Sequence, residues 1–488
     1  MGIAVRRAAL VLGPALWLAF AVFDTPLARA LGSNDAARAA GLALWMATWW
    51  LAEAVPMAWT ACLPLVVLPG LPLASQSHVE ALGACSKAYL DAYVFLFLGG
   101  LAIAAALERW NLHRRLALFV LARVGTSPPR LCLGVLASTA FVSMWISNTA
   151  SAALMLPIAL ALVRELEGHA GGRRLDRFGC ALVLAVAYGA NLGGMGTKIG
   201  TAPNAQLVAF LEREADRSVS FLQFSAFGLP FVLLMLPATW FVLWRLGRSD
   251  APSTVPTLAS IREERRRLGA WNPGERAVAS IFAGTAALWI ASAPLTQALR
   301  AFGAPAGLRG AHVEAGVAVL ALLVLLLARP GGRPLLPIRE LKHLSWGTLL
   351  LLGGSLALAD ALQSGGLAAI ASERLGSLGS WPLLPAAIAA ALLSVALSAV
   401  ASNTATVAVL LPVLWQAAPP ERAIVLVAAA TLAASCDFAL PVGTPPNAIV
   451  FGSGYVTVPR MARAGVALDL LAALLCGLWC AATVGFLL

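Results

Sequence analysis

Residues 131–163 read LCLGVLASTAFVSMWISNTASAALMLPIALALV, and residues 382–417 read PLLPAAIAAALLSVALSAVASNTATVAVLLPVLWQA. Each run is apolar enough for a membrane interior, yet longer than the roughly 20 residues one helix needs to cross it. Each also carries a polar triplet near its centre, Ser147-Asn148-Thr149 in one and Ser402-Asn403-Thr404 in the other. A re-entrant hairpin that turns back inside the membrane is the economical reading, because irregular backbone at that depth must be covered by protein or line a cavity. The tips are copies of each other. Ser147-Asn148-Thr149-Ala150-Ser151 matches Ser402-Asn403-Thr404-Ala405-Thr406 at an offset of 255, and Pro157 and Pro412 each follow ten residues after the serine.

Other segments repeat at nearly the same spacing. Leu98-Gly99-Gly100 and Leu352-Gly353-Gly354 are offset by 254, and Gly200-Thr201-Ala202-Pro203-Asn204 matches Gly443-Thr444-Pro445-Pro446-Asn447 at 243. Apolar runs and breakers give further spans near 8–23, 37–54, 57–74, 91–108, 178–192, 221–246, 277–297, 313–328, 346–362, 421–436 and 464–487. The expected fold is an all-α polytopic membrane protein of about 11 transmembrane helices plus two hairpins. Five spans separate equivalent points, so the second copy is inverted across the bilayer, a common transporter architecture. The divisions are 1–36 (first helix and periplasmic loop), 37–248 (first repeat, with hairpin 131–163 and broken helix 178–212), 249–276 (cytoplasmic linker) and 277–488 (second repeat, with hairpin 382–417 and broken helix 421–455).

Composition agrees with a membrane domain: of 488 residues 60% are hydrophobic and 12% charged. Outer-membrane strands would alternate, whereas Val317–Leu327 and Ile424–Ala430 are apolar on every side. The net charge of +11 is no nucleic-acid stripe, since the cations stand between apolar segments without interleaved aromatics. With the N-terminus inside, 24 of the 34 Lys and Arg are cytoplasmic and nine are outside (Arg29, Arg38, Lys87, Arg213, Arg217, Arg300, Arg309, Arg374, Arg422). Lys198 falls within the membrane. That bias supports the assigned orientation, which leaves the C-terminus periplasmic. Arg6-Arg7, the run Ala8 to Phe23 and Ala28-Arg29-Ala30 mimic a secretory signal; a retained first helix is the preferred reading.

Ser-Asn-Thr tips place hydroxyls, amides and unpaired backbone groups at membrane depth, where each costs several kcal/mol if unsatisfied. The helix that starts after each tip offers free N–H groups and a positive dipole end to an anion, and the helix that ends before it offers carbonyls to a cation. Polar residues also glue helices together in bundles; two copies at matched positions favour a binding site. The Gly-Thr-x-Pro-Asn segments, dense in Gly and Pro, read as unwound helices at midplane rather than simple proline kinks. Lys198 and Asp437 are intramembrane charges and therefore candidate coupling or tuning groups. The competing reading is that they pair with each other or reach the interface.

Enzyme classes find no support. There is no His-Glu-x-x-His helix, the five histidines lie in loops or at span ends, and the seven cysteines include no CxxC pair and read as packing residues. Glu53 and Glu108 lie at span ends, and Asp360 falls late in the ninth span.

These residues resemble the divalent anion/sodium symporter family, the solute carrier 13 type transporters. The resemblance runs from Trp49-Trp50-Leu51-Ala52-Glu53-Ala54-Val55-Pro56 through Phe97-Leu98-Gly99-Gly100 and Asn111-Leu112-His113-Arg114-Arg115 to the segment 440–450, LPVGTPPNAIV. Paired Ser-Asn-Thr tips are its specific signature. The resemblance implies a homodimer working as an elevator, with Na⁺-coupled import of four-carbon dicarboxylates such as succinate, malate and fumarate, or of citrate or sulfate. By motif position it implies one Na⁺ around Ser143, Ser147, Asn148 and Gly200, and a second around Ser398, Ala401, Asn403 and Gly443. The anion is implied between them, at Asn148, Thr149, Thr201, Asn403, Thr404, Thr444 and Pro445. Lys198, Ala202 and Asp437 depart from the family pattern, and a built-in cation at 198 would replace one Na⁺. Alternatives with the same architecture are a Na⁺-independent or proton-coupled anion exchanger and an anion channel.

Overall fold

Apolar runs without breakers become helices, because a helix satisfies its own backbone groups without water. The computed structural model describes residues 3–21, 33–73, 76–125, 127–252, 259–367 and 381–488, and these contain no strand. The first helices are α1 Ile3–Ala21, α2 Asn34–Ala52, α3 Met57–Ala61, α4 Leu63–Gly70, α5 His78–Tyr89, α6 Ala92–Arg109 and α7 Leu112–Val124. A hairpin of α8 Pro128–Ser143 and α9 Asn148–His169 follows, then α10 Asp176–Gly194, α11 Ala202–Glu214 and α12 Phe221–Gly247. The middle holds α13 Ala259–Leu268, α14 Pro273–Ile290, α15 Ser292–Ala301, α16 Gly310–Leu327 and α17 Trp346–Ser364. The second hairpin is α18 Leu383–Ser398 and α19 Asn403–Gln416, followed by α20 Pro420–Ala434, α21 Pro445–Phe451 and α22 Val458–Leu487.

Among the described residues six helical segments are long and apolar enough to cross a membrane, or seven if α14 and α15, bent by 70° at Ala291, form one span. The other expected spans are shorter, less apolar or interrupted. The span expected over 57–74 is two short helices separated at Cys62, because Pro64 starts a new helix and Pro69-Gly70 ends it. No helix was expected over α5, which a Ser77–Glu80 capping box opens. The triplet Ala28-Arg29-Ala30, Pro256 and Arg374 lie outside the described residues.

Among its described residues the 249–276 segment, expected as a linker, is tied to α7. Arg115 donates to the carbonyls of Leu268 (2.7 Å) and Gly269 (3.0 Å) at the end of α13 and pairs with Glu275 at 3.0 Å, while Arg114 pairs with Glu264. Cations at a helix C-terminus satisfy its last carbonyls.

The same element pairs pack in both parts of the chain: α8 on α10 and α18 on α20, α10 on α12 and α20 on α22. After its break each broken helix crosses over, α11 onto α19 and α20, and α21 onto α9 and α10. The α10 and α20 helices are buried nearly throughout, as expected for helices apolar on all faces. Their neighbours come close where glycine allows it. A Cβ on Gly193 would lie 2.0 Å from the Ala140 carbonyl oxygen, and one on Gly99 2.4 Å from the Ala318 Cβ, bringing α6 against α16. Beyond the end of α6, charges tie the end of α11 to other helices: Arg213 to Asp91 (2.9 Å) and Asp360 (2.5 Å), Arg309 to Asp216 (2.7 Å) and Glu212 (3.4 Å).

Candidate functional site

Serine starts each tip helix for a local reason: its oxygen caps a backbone donor that the helix leaves free. Ser147 Oγ accepts from Ala150 N at 3.2 Å and Ser402 Oγ from Ala405 N at 3.3 Å. One turn back, Ser143 Oγ lies 2.8 Å from both Asn148 Oδ1 and the Ala190 carbonyl, and Ser398 Oγ 2.7 Å from both Asn403 Oδ1 and the Ala434 carbonyl. A hydroxyl has one proton to give. Each cluster therefore gathers three oxygens around a single donor hydrogen, a set that suits a hard cation.

The breaks in α10 and α20 are pinned by the asparagine of their motif. Asn204 Nδ2 donates to the carbonyls of Gly194 (2.9 Å) and Thr197 (2.7 Å), and Asn447 Nδ2 to those of Asp437 (3.1 Å) and Leu440 (2.9 Å). Donors and acceptors are offset alike, so one hydrogen-bonding frame is used twice. The threonines differ. Thr444 Oγ1 accepts from Asn447 N (3.3 Å) and Asn191 Nδ2 (3.2 Å), whereas Thr201 makes no side-chain cap.

These four helix starts converge on a cavity of about 560 Å³, within the range of small-molecule sites. Ser147, Asn148, Thr149, Gly200, Thr201, Ser402, Asn403, Thr404, Gly443, Thr444 and Pro445 line it, with Pro56, Phe97 and Thr348 among the residues opposite. No charged side chain is among the lining residues. An anion here meets N–H groups, hydroxyls, amides and positive helix ends.

Five of the expected residues stand outside the lining. Ser143 and Ser398 sit one turn behind the tips, and Ala401 is buried just before Ser402. Lys198 does not pair with Asp437. Its ammonium lies 2.7 Å from Glu314 on α16, both side chains essentially unexposed, so it faces away from the cavity and is committed elsewhere. Glu314 also accepts from Phe221 N (2.7 Å) and Ser292 Oγ (2.8 Å). Asp437 is buried, and neither carboxylate oxygen has a hydrogen-bond partner among the described residues. Glu314 and Asp469, the latter accepting from Phe438 N at 2.9 Å, escaped the sequence reading. Both are acids inside apolar runs, the signal that singled out Asp437.

A helical bundle with crossed broken helices around a cavity lined by uncharged polar and apolar side chains is the architecture of a membrane transporter. The chain belongs to the family described as the sodium:sulfate symporter transmembrane region, which it matches over residues 10–486. It is 34% identical over 477 residues to the sodium-dependent dicarboxylate transporter SdcS of Staphylococcus aureus strain NCTC 8325 / PS 47, covering 96% of this chain and 89% of that one. The SdcS of strain bovine RF122 is 34% identical over 473 residues with the same coverage. The crystal structure of the Alcanivorax borkumensis YdaH transporter matches with a TM-score of 0.58 and 17% identity over 88% of this chain and 98% of that one, a likeness of fold.

Proposed function

We propose that this protein imports a small divalent anion, a four-carbon dicarboxylate such as succinate, malate or fumarate, coupled to Na⁺ across the inner membrane. The observation that carries the reading is the uncharged cavity on which the starts of α9, α11, α19 and α21 converge. The dipole ends of these helices and the free N–H groups at the starts of α9 and α19 suit carboxylates, and SdcS relatives named sodium-dependent dicarboxylate transporters support both ligands. Asn148, Thr149, Thr201, Asn403, Thr404, Thr444 and Pro445 contact the anion. One Na⁺ is held by Ser143, Ser147, Asn148 and Gly200, the other by Ser398, Ala401, Asn403 and Gly443. The hairpins and broken helices move as a unit against the remaining helices of a homodimer, with the N-terminus cytoplasmic and the C-terminus periplasmic.

Purified protein in liposomes takes up labelled succinate only under an inward Na⁺ gradient. Equal uptake in choline buffer refutes the coupling while leaving the anion site standing, and flux driven by trans-substrate instead identifies an exchanger.

A further inference from the structure

We infer that Asp437 is a protein-supplied anionic ligand of the second cation site, so that this site binds Na⁺ without help from the transported anion; the inference rests on the Na⁺-coupled reading above.

Asp437 lies in the break between α20 and α21, wholly buried, with both carboxylate oxygens unpartnered among the described residues. An ionised carboxylate in that state costs several kcal/mol unless a counter-charge sits beside it. No described basic side chain supplies one: Lys198, the buried cation of the other break, is held by Glu314. A second acid stands close by: Asp469 on α22 accepts from the backbone N–H of the very next residue, Phe438.

The direction of the side chain identifies what it serves. A Cβ built on Gly443 would lie 1.7 Å from Asp437 Oδ2 and 2.6 Å from Oδ1. The carboxylate thus fills the place of a side chain at 443, against one of the four residues assigned to the second Na⁺. Asp437 and Gly443 depend on each other, because any larger residue at 443 would expel the carboxylate. Oxygen donors are what a hard cation takes, and a carboxylate is the strongest of them.

The first break cannot do the same. Asn204 bonds the Gly194 carbonyl as Asn447 bonds that of Asp437, so Gly194 holds the equivalent place. A Cβ on Gly194 would lie 2.4 Å from Asn148 Oδ1, leaving no room for a side chain. The residues assigned to the first site offer neutral oxygens alone. The second adds a carboxylate.

The test is thermal unfolding of the purified full-length protein, titrated with NaCl against choline chloride at constant ionic strength, without and then with succinate. Na⁺ alone stabilises the parent. Asp437→Asn and Asp437→Gly raise the Na⁺ midpoint at least about tenfold, the scale of losing a bond to a charged group, and make the response require succinate. Gly443→Ala, which takes the carboxylate's space at a residue of the same site, does the same with the acid still in the chain. Asp469→Asn lowers the melting temperature and leaves the Na⁺ midpoint in place. A parent midpoint retained by Asp437→Asn and Gly443→Ala overturns the inference alone. A stabilisation by protons in choline buffer that vanishes in Asp437→Asn also overturns it, by making the occupant H⁺. A parent with no response to Na⁺, with or without succinate, overturns the inference together with the Na⁺-coupled function.

Discussion

Lys198→Leu and Glu314→Gln each break a fully buried ion pair, and the surroundings rank their effects. Removing one partner of such a pair costs about 3–5 kcal/mol, because the other charge is left uncompensated. After Lys198→Leu, Glu314 keeps hydrogen bonds from Phe221 N and Ser292 Oγ at 2.7 and 2.8 Å, which puts the loss near the low end, about 3 kcal/mol. After Glu314→Gln, the ammonium keeps a neutral amide oxygen, the Tyr93 ring 5.5 Å away and the weaker pull of Glu212, but no counter-charge in contact, and the loss approaches about 5 kcal/mol. The double variant Lys198→Met/Glu314→Gln leaves no charge, fills the lysine's volume and keeps an acceptor for Phe221 and Ser292. It is expected within about 2 kcal/mol of the parent, so the single effects are far from additive. The assay is tryptophan-fluorescence melting of the four proteins in one detergent at one scan rate, with order parent, double, Lys198→Leu, Glu314→Gln from most to least stable. A double variant that melts below both single variants refutes the reasoning, because the pair would then not be the source of the loss. The Na⁺ midpoint of the double variant equals the parent's if the lysine takes no part in the cation sites.

Thr444→Ala lowers stability by about 1 kcal/mol through loss of the helix cap, whereas Thr201→Ala, with no capping bond, leaves the melting temperature unchanged; melting with and without succinate separates this from the weaker anion binding expected of both. Asn148→Ala and Asn403→Ala each lower anion affinity about tenfold, as loss of one hydrogen bond to a charged ligand does. A thermal-shift panel of succinate, malate, citrate and sulfate reads this, and unchanged midpoints would move the anion site elsewhere. Gly193→Ala forces a methyl to within 2.0 Å of the Ala140 carbonyl, a clash of about 3 kcal/mol or more, seen as loss of the monodisperse peak in size-exclusion chromatography. Gly284→Ala, with nothing within 4 Å of its Cβ, keeps that peak.

The turns at the two Ser-Asn-Thr tips were legible because their signals are local. Ser147 and Ser402 cap the helices they were expected to start, and Pro128 and Pro382 stand at the entrances. The cavity was legible too, since the residues expected to contact the anion all line it. Bends and partners were not. The interruption at Cys62 stands two residues before Pro64 and the 70° turn at Ala291 three before Pro294, and a proline marks a break without fixing its angle. Lys198 is conspicuous in the sequence, but its partner Glu314 is 116 residues away, and only the packing of α16 beside the first break brings the two together. Asp437 and Gly443 are six residues apart, yet their contact depends on a non-helical stretch at 436–438 that periodicity does not foretell.

The ties between the end of α11 and its neighbours have a kinetic side. Arg213 with Asp91 and Asp360, and Arg309 with Glu212 and Asp216, join α11 and the turn after it to α6, α16 and α17, which lie outside the unit proposed to move. Under that movement these contacts part and re-form once per turnover. The Arg309–Asp216 pair is open to solvent, worth about 1 kcal/mol or less and weakened as salt screens it, whereas Arg213–Asp91 is more buried and screened less. Ionic strength then acts as a throttle on turnover number while the occupancy of the buried cavity stays the same.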